Sequence, residues 1–144
     1  MNTPLKNNMP IDEIVENFSF LDDWEDRYGY LIELGNELSA FPQEEMIDAN
    51  KVRGCASQVW LINHLDNGNL TFNGTSDAHI VRGLVAIALT LFSGKTPEEI
   101  ITTDEQSVFR DIGLGEHLTP QRSNGLKSLV GKIKATASSA LSKT

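Results

Sequence analysis

The sequence of 144 residues has a single cysteine, Cys55, and that scarcity closes off several chemistries at once. A lone thiol forms no internal disulfide, and it cannot by itself supply a cysteine-based zinc or iron–sulfur site. It is either inert or a reagent. Positive charge is scarce as well: 12 Lys and Arg stand against 20 Asp and Glu, a formal charge of -8. No basic stripe and no aromatics interleaved with basic residues occur, so nucleic acid is not an expected partner. Long apolar runs are missing too. IVRGLVAIALTLF, from Ile80, is too short for a membrane span and carries Arg82. The opening MNTPLKNNMPIDEI lacks the apolar core of a signal peptide. The expectations are no membrane and a reducing, cytoplasmic location. What remains, 40% apolar and 22% charged residues over this length, describes one folded domain.

After a loose leader over residues 1–9, Pro10 fits the first turn of a short helix through Ile11, Ile14, Val15 and Phe18. An Asp cap precedes a second helix in which Trp24, Tyr28, Leu31, Ile32 and Leu38 share one stripe, with Gly29 and Gly35 as weak points. SAFPQEEMIDAN reads as a loop with room for one helical turn. From Lys51 the period changes to two, and DNGN, Asp66 to Asn69, is a hairpin turn signal. That turn sets Leu65 opposite Leu70, Trp60 opposite Thr75, and Gln58 near Asp77. A mostly apolar helix follows, with Thr75 or Ser76 as N-cap, Asp77 in its first turn and Gly94 as C-cap. TPEEII and DEQSVFRDIGL predict two short helices. A last helix is capped by Thr119, opens at Pro120 and carries an inner stripe of Leu126, Leu129, Val130, Ile133 and Ala137. The domain is expected over residues 10–140, with a frayed tail over 141–144.

The thiol stands at a turn rather than in an apolar run. Gly54 precedes Cys55, Ala56 and Ser57 follow it, and Lys51 and Arg53 are close in sequence. The hairpin returns Ser76, Asp77 and a helix N-terminus to the same end of the sheet. A thiol with a pKa of roughly 8.5 is almost wholly protonated at neutral pH. A helix N-terminus with Lys51 and Arg53 would raise the thiolate fraction, and Asp77 would lower it. A Cys55–His79–Asp77 triad is disfavoured, because residues two apart at a helix start point different ways. The bland alternative is a buried, inert thiol. Likewise His64 and His117 read as ordinary strand and loop residues, and Trp24, Tyr28 and Trp60 as core aromatics. QEEMID reads as a solvated loop, or as part of a docking surface. Arg122 opens a helix where a cation is unfavourable to the dipole, which invites a second purpose.

DWEDRYGYLIELG, VRGCASQVWL, GTSDAHIVRGL and HLTPQRSNGL, in that order and spacing, resemble the SufE family of sulfur-acceptor proteins over about Ile11 to Ala137. The resemblance implies an α+β fold like that of the IscU-type scaffolds, a three-stranded antiparallel sheet covered by helices. It implies that Cys55 takes persulfide sulfur from a SufS-type cysteine desulfurase and passes it to a SufBCD scaffold for iron–sulfur cluster assembly. Cys55 would then be the acceptor, with Arg53, Gly54, Ser57, Asp77 and Arg122 controlling the loop or binding the partner. On the same ground the chain would be a carrier and desulfurase activator rather than an enzyme, a monomer or weak homodimer, with no cofactor or metal of its own. The pyridoxal phosphate chemistry would belong to the partner. Within the family the alternative is a CsdE-type acceptor serving a different desulfurase; outside it, a binding module with an inert thiol.

Overall fold

A computed structural model describes residues 4–142. Helix α1 spans Ile11–Ser19 and α2 spans Trp24–Asn36. Asp23 caps α2 by accepting the Asp26 N–H at 2.8 Å. Two single 3-10 turns, Gln43–Glu45 and Asp48–Asn50, follow in the loop. Strands β1 (Val59–Asp66) and β2 (Asn69–Ser76) then form an antiparallel hairpin in the expected register, Leu65 opposite Leu70 and Trp60 opposite Thr75. Asn67 and Gly68 turn it with φ of 53° and 84°, the two left-handed residues a tight hairpin requires.

The central helix α3, His79–Phe92, lies against the β2 side of the hairpin and against α2. Its middle is buried all round because Leu31 and Leu34 of α2 cover one side and Leu70 and Phe72 of β2 fill another. At the crossing with α2 the backbones nearly touch. A Cβ on Gly35 would stand 2.8 Å from Arg82 Cβ, and one on Gly83 would run into the Leu31 carbonyl. Helices α4 (Pro97–Thr102), α5 (Glu105–Ile112), α6 (Leu114–His117) and α7 (Pro120–Ser142) complete the chain. Thr96 and Glu99 close a reciprocal capping box on α4. All five residues of the expected inner stripe of α7 are buried.

The sheet departs from the expected three strands: among the described residues it has two. The segment that would add a third makes one antiparallel bridge, Lys51 to Trp60, with the Val52 N–H donating to the Val59 carbonyl at 2.8 Å. Gly54, at φ 88°, then bends the chain away before a ladder can grow. Residues 4–9 are also less loose than expected. Leu5 is buried and bridges Leu38, and Ser39 N–H donates to the Pro4 carbonyl at 2.9 Å. One apolar side chain finding a partner just past the end of α2 outweighs a polar composition. Residues 1–3 of that leader lie outside the described ones. At the other end α7 stays helical to Ser142, past the onset expected for fraying; residues 143–144 lie outside the described ones. The small helix α6 was not expected, being only four residues after Gly113. No helix among the described residues is long and apolar enough to cross a membrane.

Candidate functional site

Cys55 lies in the short loop between the Lys51 bridge and β1, and the loop is held at both ends. At its start the Val52 side chain enters the core. At its end Gln58 is fixed by Asp77 and Ser76, the Asp77 N–H donating to the Gln58 carbonyl at 3.3 Å. The Asp77 carboxylate accepts the Gln58 N–H at 3.1 Å and the Gln58 side-chain N–H at 3.3 Å, while Ser76 donates its hydroxyl to the Gln58 carbonyl at 2.7 Å. Ser76 Oγ also accepts the Ala78 N–H at 3.2 Å. Asp77 therefore does not sit in the first turn of α3 as expected. Ser76 completes β2, Ala78 takes the N-cap, and Asp77 occupies the bend between them. Gln58 is a site residue that residue type alone does not reveal, although the hairpin register already sets it beside Asp77.

Between those anchors the flanks of the thiol are small or turned out. Arg53, Gly54 and Ala56 are exposed, and Ser57 is half-buried. The left-handed φ of Gly54 suits only glycine at low cost, and a Cβ there would stand 2.5 Å from Ser128 Oγ. Cys55 itself is half-buried, and its thiol donates to the Gly125 carbonyl of α7 at 3.5 Å. A Cβ on Gly125 would stand 3.5 Å from Sγ, in ordinary van der Waals contact, so the loop packs directly on this face of α7.

Beneath the sulfur is a cavity of about 30 Å³, lined on one side by Val59, Val81, Leu84 and Val85 and on the other by Gln121, Arg122, Gly125, Leu126 and Leu129 of α7. It is mostly apolar and admits a water-sized group. Burial in these surroundings pushes the Cys55 thiol above its ordinary pKa. At rest burial therefore outweighs any help from the start of α3, Lys51 or Arg53. Lys51 is engaged elsewhere, paired with Asp48 at 3.2 Å and 6.0 Å from the Trp60 ring centre.

Arg122 is half-buried beside the cavity, its backbone N–H held by Thr119 Oγ1 at 3.2 Å, and its side chain makes no ion pair among the described residues. The triad is absent: His79 is exposed, Asp77 is spent on Gln58, and the thiol bonds to a carbonyl. His64 is an exposed strand residue, whereas His117 stacks on Trp24 with ring centres 4.1 Å apart. Trp60 is buried; Trp24 and Tyr28 are half-buried and pack on the core's edge. No group of three metal-ligating side chains stands together among the described residues.

The chain thus holds a half-buried thiol on a loop anchored at both ends, over a small apolar cavity in a two-stranded α+β domain, and comparison with known proteins gives its family. Residues 12–137 match the family model SufE, a domain associated with Fe–S metabolism, and the chain belongs to that family. Two uncharacterized SufE-like proteins are each 53% identical to it over 131 residues, covering 88% of this chain. The one from Rhizobium meliloti is covered over 94% of its own length and the one from Rhizobium etli over 88%. A solution structure of a hypothetical protein from Thermus thermophilus shares the fold. It superposes with a TM-score of 0.73 at 21% identity over 92% of this chain and 96% of that one.

Proposed function

We propose that Cys55 is a sulfur acceptor that takes sulfane sulfur from the persulfide of a SufS-type cysteine desulfurase and hands it to a SufBCD scaffold. The observation that carries this reading is the placement of the chain's one thiol, on a small-residue loop with its sulfur resting over an apolar cavity. Membership in a family associated with Fe–S metabolism supports it.

The step is a thiol–disulfide exchange in form. The Cys55 thiolate attacks the outer sulfur of the partner's persulfide, a new S–S bond forms on Cys55, and the partner's S–S bond breaks. The partner cysteine leaves as a thiolate and takes up the proton that Cys55 gave up, so no outside oxidant or reductant is needed. A second thiol nearby would discharge the product, and this sequence has none. The attacking sulfur must be ionised and approachable in line. At rest it is neither, being held protonated by burial and bonded to Gly125. The loop must therefore swing outward to react. Gly54 and Ala56 leave room for that movement, with Asp77 and Ser57 governing the loop and Arg53 and Arg122 meeting the partner. The same cavity suits a resting persulfide, whose outer sulfur is shielded there from other thiols.

Intact-mass measurement after incubation with an active desulfurase and cysteine tests the proposal. The chain should gain one or more sulfur atoms, and dithiothreitol should remove them. Cys55→Ser should fold normally and gain nothing. An unchanged mass beside a desulfurase shown to be turning over sinks the proposal, and loss of folding in Cys55→Ser would make the residue structural.

A further inference from the structure

One turn of α2 reaches across to the segment that leads into α7. Tyr28 donates its hydroxyl to the His117 carbonyl at 2.7 Å, and Arg27 donates from Nη1 to the Ile112 carbonyl at 3.2 Å. Trp24 stacks on the His117 ring at 4.1 Å, and Arg27 lies 5.3 Å from the Trp24 ring centre. Arg27 is itself fixed by a second bond, from Nε to the Leu21 carbonyl at 3.0 Å. Three side chains within five residues thus grip both ends of the run from Ile112 to His117. That run is short and irregular, with the left-handed Gly113 at φ 84° and the four-residue α6. Its own backbone bonds are local, Glu116 N–H to the Gly113 carbonyl at 3.4 Å and Leu118 N–H to the Leu114 carbonyl at 3.1 Å, so the grip from α2 adds the tie that fixes where Thr119 and Pro120 start α7.

The first two turns of α7 are the side of the cavity that meets the thiol: Gln121, Arg122 and Gly125 line it, and the Gly125 carbonyl receives the Cys55 S–H. We propose that Trp24, Arg27 and Tyr28 are positioning residues that set the start of α7 against Cys55 and so determine how readily the thiol is uncovered. None of them touches the sulfur. Their effect passes through the 112–119 segment, and loosening it withdraws the Gly125 carbonyl and admits water to Sγ. This deepens the acceptor reading and rests on it for its biological use, but the covering itself is read without any partner.

The test is iodoacetamide alkylation of Cys55 in the full chain across a pH series, with thermal stability measured in parallel. Tyr28→Phe removes one hydroxyl and keeps the ring. It should alkylate about two- to tenfold faster at neutral pH, the range that losing one ordinary hydrogen bond from a closed state provides. The midpoint of its pH profile should move down toward that of a free thiol, as exposure to water requires. His117→Ala, which removes the stack on Trp24 and leaves the backbone carbonyl, should act in the same direction. Thr96→Ala is the control: it breaks the capping box of α4, which packs on α7 but makes no hydrogen bond to residues 112–119 among the described residues, and lowers stability by general means. A Tyr28→Phe profile that overlays the parent's overturns the proposal. So does an equal acceleration and midpoint shift in Thr96→Ala, which would assign the effect to overall loosening. Because alkylation needs no desulfurase, a failure of sulfur uptake leaves this result standing and refutes the acceptor reading alone.

Discussion

At the scale of single residues, the resting thiol is shaped by burial more than by charge. A group whose pKa is raised by folding holds its proton more tightly in the folded state. Its stabilising contribution is complete below the unfolded-state pKa and is lost as pH rises through the folded-state value. For Cys55 the raised direction puts that loss above the ordinary thiol range, from roughly pH 8.5 upward. Denaturant midpoints should therefore fall more steeply with pH for the parent than for Cys55→Ala above roughly pH 8.5, and run parallel below it. Tyr30, also raised by burial, is common to both proteins and cancels in the difference. Parallel midpoints across the whole range would mean that the folded sulfur is as wet as an unfolded one. The position of the thiol at a turn, flanked by Gly54 and Ala56, was legible in the sequence and left it either a reagent or inert. Its resting burial was not, since the covering carbonyl comes from Gly125, 70 residues away.

At the scale of elements, the glycines of the packed helices have opposite meanings. Gly29 faces solvent on α2 with nothing within 4 Å of where a Cβ would stand, whereas Gly83 meets the Leu31 carbonyl. Gly29→Ala should stabilise the protein by about 0.5–1 kcal/mol, the helix propensity alone. Gly83→Ala should cost about 3 kcal/mol, at the upper end for overpacking because a backbone carbonyl cannot turn aside. Denaturation midpoints measure both, and a neutral Gly83→Ala would show that α2 and α3 separate easily. The sequence pattern marked Gly29 and Gly35 alike as weak points, since propensity is local and a helix crossing is not. The hairpin was legible to the residue because Asn67–Gly68 admits few turns and an alternating pattern fixes the faces. The start of α3 was displaced by two residues because Ser76 and Asp77 are as good at ending a strand over Gln58 as at capping a helix. The third strand failed on Gly54, and the anchored Leu5 depended on a partner no local pattern names.

Over the whole molecule, charge is divided unevenly along the chain. Residues 1–50 hold twelve of the 20 acidic residues and two of the 12 basic ones, Lys6 and Arg27. Helix α7 carries no acidic residue at all. Lys134 on α7 is paired with Glu105 at 3.1 Å, but among the described residues Arg122, at the edge of the Cys55 cavity, has no carboxylate on it, and neither does Arg53 on the loop. On the acceptor reading proposed above, two cations without an ion pair near Cys55, Arg122 and Arg53, on a chain of net negative charge, suit a carboxylate on the partner. Such a pair orients docking and speeds encounter more than it stabilises the fold. Arg122→Ala should therefore lower the rate of sulfur transfer from a desulfurase, with a deficit that is larger at low salt and shrinks as screening grows. Its melting temperature should stay near the parent's, because the side chain makes no ion pair to lose and the Thr119 cap uses only the backbone N–H. Transfer rate at two ionic strengths and melting temperature, measured on the same protein, separate the outcomes. A drop of many degrees with normal transfer at a permissive temperature would make Arg122 a packing residue of the cavity wall, and a deficit independent of salt would remove the partner carboxylate from the account.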